Sequence, residues 1–540
     1  MGQDGRMPSR PSTGSLRTLL GLAPTAAASA LRAQLRPPLD PRANARLLLE
    51  LQRWGTTPAL GFASGAVRHP DAPAVIDLDD PLRTVTFGEA ERRTRAAAAA
   101  LAGRHGWGAG VRAGVLGRNS RAYVEALAAG ARTGADVVLL NPGHSAQQLA
   151  AVAEREGITR FLADPDLADR CPGPVLTLAG GDWEELAGGP GGAFRPPTGP
   201  GRHVLLTSGT TGVPRGAARG GAPIEAAVGL LAAFPFRQRD THVLATPLFH
   251  AWGWMHLRMA ALLDATIVLM RRPDPLRVLQ AAAWTSAGVV ITVPVVAQRM
   301  VELPAADTAD LDLSALRVVA YSGSAMPPDA VRAFTQRYGE VLHNLYGSTE
   351  AAFATVATPA DLCADPASAG RPLPGVVVRI LDDDGAELPV GRTGRIFAGS
   401  ATSFEGYTDG SDRDRVGGLV WTGDVGHLDD HGRLRVQGRV DDVMVVGGEN
   451  VHPLEVEEVL REHPDVVDLA VAPRLDAGFG HRPVAHVVLA AEQPPDWDAA
   501  FLGWARERLA PAQRPAAVVR HAALPRNAAG KVLRRDLADQ

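Results

Sequence analysis

Lys531 is the only lysine in a chain of 540 residues with 55 basic side chains, so the other 54 (55 − 1) are arginines. An ammonium is a compact point charge on a flexible stem, whereas a guanidinium is a planar fork that favours a bidentate partner. The segment "PRNAAGKVLRRDL" (525–537) therefore holds a cation of a kind the chain uses nowhere else. A second candidate is "LLTSGTTGVPRGAARG" (205–220), in which an apolar run meets two hydroxyl-rich triplets closed by glycines and followed by Arg215. Glycines let backbone N–H groups approach an anion, and Ser and Thr hydroxyls add donors, so this is phosphate-cradling chemistry. It is not a Walker loop: Gly-x4-Gly-Lys-Ser/Thr occurs nowhere in the chain.

Alternating elements must position these residues. Short apolar runs, among them "PAVIDLD", "TVTFGEA", "AGVLGRNS", "HVLLTSGTTG", "ATIVLM", "GVVITVP" and "LRVVAYSGS", read as strands ending in turns. Helical stretches such as "FGEAERRTRAAAAALA" lie between them, which predicts parallel sheet covered on both faces. After about residue 370, shorter strands with Asp-Gly and His-Gly turns predict an antiparallel β unit, and from about Val440 a small α+β unit follows. The expected division is a tail over 1–40, a large domain over 41–438 and a small domain over 439–540. A length of 540 residues exceeds what one core usually supports. A net charge of −4 gives no reason to expect nucleic acid or an anionic membrane. Cys171 and Cys363 match no metal or disulfide spacing, which fits a reducing, cytoplasmic compartment. No apolar run reaches the ~20 residues of a spanning helix. Arg6, Arg10 and Arg17 before "TLLGLAPTAAASALRA" loosely match a signal peptide; a tail followed by an alanine-rich surface helix is the reading adopted.

Besides the loop, four further segments carry a pattern: "NLYGSTE" (344–350), "WTGDVG" (421–426), "GRVDDVMVVGGENVHPLEVEEVL" (438–460) and the lysine segment itself. In that order, and from about residue 70 to the C-terminus, the chain resembles the adenylate-forming superfamily of acyl-CoA synthetases, peptide-synthetase adenylation domains and luciferases. The resemblance implies an α/β fold: a large N-terminal domain of packed βαβ-type sheets plus a β subdomain, then a small, mobile α+β domain. It further implies that Thr207, Ser208, Gly209, Thr210, Thr211, Gly212 and Arg215 surround the β- and γ-phosphates of ATP, Arg215 standing where the family has lysine. Tyr346 would offer its face to adenine, with Asn344, Gly347, Gly323, Ser324 and Ala325 around it. Thr349 would donate to the α-phosphate and Glu350 would hold Mg²⁺, a cation that prefers carboxylate and phosphate oxygens. Asp424 would accept from both ribose hydroxyls, and Arg439 would reach ribose or phosphate. Asp441 would be the hinge between domains, and Gly447 and Gly448 would line the tunnel for CoA. Lys531 would touch carboxylate and bridging phosphate oxygens together as charge builds between two anions, a task for a point charge rather than a fork.

Adenylation implies a carboxylate, or another oxyanion, joined to AMP and then passed to a nucleophile. The closest resemblance is to bacterial fatty-acyl-CoA and aryl-acyl-CoA ligases, through "GGENVHPLEVE" and "PLFHAWGWMHLRMA" (247–260). His250 and Trp252 would then lie near the acyl pocket, with a satisfied core histidine and a packing tryptophan as the competing reading. The fold does not dictate the acceptor: relatives with these motifs pass the acyl group to amines or carrier proteins, or adenylate nitrite to diazotise an aromatic amine. The expected enzyme is an ATP-dependent acid–thiol ligase using Mg²⁺ and CoA, with a homodimer as the assembly to test.

Overall fold

The computed structural model describes residues 24–35, 40–178, 180–189, 197, 199–207, 215–217, 224–348, 352–399, 414–446, 449–476, 480–527 and 530–538. Residues 24–32 are helical, and the carbonyl of buried Ala33 accepts the Gln238 N–H at 2.8 Å, so the end of the segment read as a tail is docked on the body. Two helices that the periodicity reading passed over come next, Pro41–Trp54 and Pro58–Arg68.

Two sheets form the large domain. The first runs, edge to edge, Arg371–Pro372, Ala352–Ala357, Leu342–Ser348, Val318–Ser322, Val289–Thr292, Thr241–Leu244, Thr266–Leu269, Pro73–Asp77 and Thr84–Thr86. Its interior strands pair parallel, while Thr84–Thr86, Ala352–Ala357 and Arg371–Pro372 join antiparallel. The second sheet holds Val175–Thr177, Arg160–Ala163, Arg112–Leu116, Asp136–Leu140, His203–Thr207 and Arg215–Ala217, parallel except for its last pair. The expectation of parallel sheet thus needs amending at the edges; from Asp77 to Thr84 and from Ser348 to Ala352 the connections are too short for a parallel crossover. The strand read in "TVTFGEA" stops at Thr86, because Thr86 and Glu89 form a reciprocal capping box that starts the helix Phe87–His105.

Interior strands are apolar on both faces because helices cover both faces, and each face has its own buried core. Asn119 ties the two sheets together. Its amide donates to the carbonyls of Leu244 and Thr246 (3.2 and 2.8 Å) and accepts from the Leu248 N–H at 3.0 Å, so the second sheet holds the loop leading to His250.

Strands Val377–Leu381, Gly394–Gly399, Leu419–Leu428 and Leu434–Arg439, with Arg415–Val416, make a third, antiparallel sheet. A turn at Val440–Asp442 leads to the small C-terminal domain. Its sheet contains Glu449–Val451, Met444–Val446, Gly480–Leu489, Val466–Asp476 and Ala517–Arg520, packed on the helices Pro453–Leu460 and Trp497–Arg506 around a separate core. Among the described residues no helix is long and apolar enough to cross a membrane.

Candidate active site

The site begins on two neighbouring strands of the third sheet. Asp424 and Arg439 lie opposite each other in the pairing of Leu419–Leu428 with Leu434–Arg439, which brings Arg439 Nη1 to 4.0 Å from Asp424 Oδ1. Strand Leu342–Ser348 of the first sheet supplies Tyr346, whose hydroxyl donates to Asp424 Oδ2 at 2.6 Å. Thr422 fixes the backbone: its hydroxyl donates to the Ile396 carbonyl at 3.0 Å and accepts the Asp424 N–H at 3.2 Å. Burial pushes the Asp424 carboxyl above its ordinary value, while Tyr346, Arg439 and Lys531 pull it back. Burial and the Asp424 charge both raise the Tyr346 phenol, so it stays a donor. One carboxylate oxygen is thereby occupied, and the other faces Arg439 with lone pairs available to a hydroxylated ligand.

Lys531 reaches this place from the small domain. Its N–H donates to Asn527 Oδ1 and its carbonyl accepts the Asn527 N–H, both at 2.9 Å. Arg526 ties the loop to its own domain, donating to the Gly530 carbonyl at 2.8 Å and to both oxygens of Asp468 at 2.9 and 2.8 Å. Gly530 has φ +78°, a left-handed conformation that favours glycine, and a Cβ there would sit 2.7 Å from Val295 Cγ1 of the large domain. The lysine loop is therefore packed against residues 293–295. Half-buried Lys531 lies within electrostatic reach of Asp424, Asp442 and Arg439; burial and Arg439 lower its pKa, and the two aspartates oppose them.

The other expected residues divide into those placed and those outside the description. Gly323, Ser324 and Ala325 follow the C-terminal end of Val318–Ser322; Gly323 has φ +99° and open space where a side chain would be. Asn344 lies two residues before Tyr346 on the same strand and donates to the Ser368 carbonyl at 3.3 Å, and Gly347 follows Tyr346. Thr207 ends its strand directly opposite Arg215. Asp441 lies in the turn Val440–Asp442. The expectations for Ser208, Gly209, Thr210, Thr211, Gly212, Thr349, Glu350, Gly447 and Gly448 fall outside the described residues. Among the described residues no group of His, Cys, Asp and Glu is arranged to hold a metal ion.

Trp252 is a packing residue with a satisfied indole, donating to the Thr292 carbonyl at 2.8 Å. His250 is not a satisfied core histidine: its buried Nε2 has no hydrogen-bond partner among the described residues, and burial beside His144 takes its pKa down to about 4. The sequence reading missed three contributors: Asp442, which supports the ammonium of Lys531; Thr422, which anchors Asp424; and Asn119, which holds the His250 loop. Only Asn119 left a signal, as a polar residue between the end of a strand and the Ser120 that caps the helix Arg121–Thr133.

The family model for the AMP-binding enzyme matches residues 62–408, and the model for the C-terminal domain of AMP-binding enzymes matches 455–531. An indoleacetate–CoA ligase of Aromatoleum aromaticum is 33% identical over 448 residues, 78% of this chain and 86% of that protein. The o-succinylbenzoate CoA synthetase of Bacillus subtilis, solved with its acyl-adenylate intermediate, superposes with a TM-score of 0.77 at 26% identity, covering 89% of this chain and 98% of that one. An amide bond synthetase from Marinactinospora thermotolerans superposes equally well, with a TM-score of 0.77 at 29% identity over 89% of this chain and 99% of that one.

Proposed function

The chain belongs to the family of AMP-binding enzymes, and from that premise we propose an acid–thiol ligase that makes an acyl-AMP and hands its acyl group to CoA. The enzyme is an ATP-dependent, AMP-forming ligase. The observation that carries the finer reading is the meeting of the only lysine, from the small domain, with the Tyr346–Asp424–Arg439 group of the large one.

In the first half-reaction a carboxylate oxygen of the acid attacks the α-phosphorus of ATP, and pyrophosphate leaves; Glu350 would hold Mg²⁺, which would offset phosphate charge when bound. Asp424 accepts from the ribose, Tyr346 lies against the adenine, and the open side of Gly323 leaves room for the nucleotide. The ammonium of Lys531 offsets charge that develops between the two reacting anions, an interaction stronger in the transition state than in the ground state. In the second half-reaction the CoA sulfur attacks the acyl carbon and AMP leaves. The small domain turns about Asp441 between the two, taking Lys531 away and bringing Gly447 and Gly448 in. Naming CoA as acceptor is supported by the CoA ligases among the relatives, and consumption of ATP supports a cytoplasmic setting.

The test is pyrophosphate release with aryl acids, fatty acids and nitrite, each with and without CoA, in wild type and in Lys531→Ala and Lys531→Arg. Release that depends on a carboxylate and rises with CoA, with a thioester formed, is expected. Both variants should lose roughly 10²-fold or more in release but still make thioester from supplied acyl-AMP. Release that ignores CoA and yields to an amine would replace the acceptor with that of an amide synthetase.

A further inference from the structure

The helix Pro41–Trp54 shows solvent a face that a globular protein ordinarily keeps inside. Leu48 and Leu49 are 63% and 60% exposed and Leu51 is 40% exposed; with Leu31 and Leu35 they make five of the eight exposed leucines among the described residues. The helix is nonetheless fixed to the body. Trp54 is buried with the Arg132 guanidinium 4.7 Å from its ring centre, and its indole donates to Glu50 at 2.6 Å. Ala43, Leu47, Glu50 and Trp54 recur at helical spacing on that inward side. The outward side has two rows, Ala45, Leu48 and Gln52 in one and Arg42, Arg46, Leu49 and Arg53 in its neighbour. Glu50, the only carboxylate of the helix, faces inward and approaches Arg53 alone of the three arginines, at 3.8 Å.

The total charge of the chain hides a segregation in the same direction. Residues 1–54 contain eight arginines and three carboxylates, a net of +5 (8 − 3), so the rest of a chain at −4 carries −9 (−4 − 5). What covers the leucines must therefore bring negative charge together with an apolar layer. A second copy meeting the helix by the same face would set one arginine row against another. Residues 1–23, at +2 (3 − 1), would bring like charge as well. The surface of a bilayer containing anionic phospholipid brings both, headgroups of opposite sign for the arginines and acyl chains for side chains that enter the interface. The acidic remainder of the protein is repelled by the same lipid, so the encounter is oriented with the helix first.

We propose that the outward face of Pro41–Trp54 is a docking surface for anionic membranes, with Leu48 and Leu49 entering the interface and Arg42, Arg46 and Arg53 lying among the headgroups. The helix lies in the plane of the lipid surface and does not span it: its 14 residues rise about 21 Å, short of the ~30 Å hydrocarbon layer. The attachment is reversible and salt-sensitive, because a few leucines and three arginines fall far below the anchoring power of a spanning helix. It is independent of which acid or acceptor the enzyme uses.

The experiment is flotation of the full-length protein with vesicles of phosphatidylcholine alone and of phosphatidylcholine mixed equally with phosphatidylglycerol, at low and at high salt. Binding should be roughly tenfold or more tighter to the anionic vesicles and should weaken as salt rises. Leu48→Gln with Leu49→Gln, and Arg42→Gln with Arg46→Gln, should each weaken it roughly tenfold, while pyrophosphate release in vesicle-free solution stays at the wild-type rate. Glutamine is a good helix former and all four positions are exposed, so neither variant threatens the fold. Absence of binding, equal affinity for the two kinds of vesicle, or binding undiminished in either variant would overturn the proposal, the last by placing the contact elsewhere, residues 1–23 included. Concentration-dependent self-association in sedimentation velocity that the leucine variant abolishes, without vesicle binding, would give the face to a second copy and overturn the lipid.

Discussion

In its proposed role Asp424 acts as an anion, whereas burial raises its pKa. The Tyr346 hydroxyl at 2.6 Å, Arg439 and Lys531 are what keep the charged form. Tyr346→Phe removes one bond to that charged form, so the carboxyl should titrate at a higher pH. If Asp424 accepts from ribose as proposed, it must be ionised, so KM for ATP should climb as pH falls, and the climb should start at higher pH in the variant. The loss is about 1 kcal/mol, or roughly fivefold in KM; superimposable pH profiles of KM for ATP would sever the link between the two residues. Lys531, Tyr346 and Asp424 were legible because each stands in one of the segments that carry the resemblance to the family. Asn119, which holds the His250 loop, stood out only as a polar residue between a strand end and a helix cap; Asp442 and Thr422 act through Lys531 and Asp424, and nothing about an Asp or Thr in a turn or strand marks it in advance.

The lysine segment is held in place by a helix as well as by its own loop. Glu457, buried in Pro453–Leu460, accepts from the Val471 N–H at 2.8 Å and pairs with Arg534, three residues past Lys531, and with Arg461 at 2.9 Å. Burial alone would raise the Glu457 carboxyl, but Arg534, Arg461 and the Val471 N–H hold it below its ordinary value. A depressed carboxylate contributes stability above its unfolded pKa and loses it as pH falls through the folded one. Arg534→Ala should therefore destabilise the small domain by on the order of 3 kcal/mol at neutral pH and move its acid unfolding to higher pH, both read by circular dichroism. Equal stability would mean that Arg461 alone suffices. Elements were legible where burial makes a continuous apolar run, as in the strands of both sheets. The helix Pro58–Arg68 was not, because it is buried over most of its length and built of small residues. A Cβ on its Gly61 would lie 2.5 Å from Ala261 Cβ, so close helix packing selects glycine and alanine there and erases the amphipathic stripe. The antiparallel edge strands Arg215–Ala217 and Arg371–Pro372 were missed because two or three residues carry no usable period.

At the scale of the molecule, the two domains meet through Gly530 on Val295, and that contact delivers Lys531. Gly530→Ala places a methyl into both a left-handed backbone conformation and a 2.7 Å contact. Displacing the loop by about 1 Å should slow acyl-AMP formation by roughly 10²-fold while thioester formation from supplied acyl-AMP continues. Equal loss in both half-reactions would mean that the substitution harms the small domain itself. The order of strands has a consequence of a different kind. Pro73–Asp77 is flanked in its sheet by Thr84–Thr86 and by Thr266–Leu269, and Val75 pairs with Ile267, a separation of 192 residues (267 − 75). Between them the chain builds the whole of the second sheet. On a ribosome adding about 5–20 residues per second, the N-terminal strand waits roughly 10–40 s for its parallel neighbour. For that interval it presents the open edge of a two-stranded ribbon, so the nascent chain has its greatest need of a chaperone before half of it has been made.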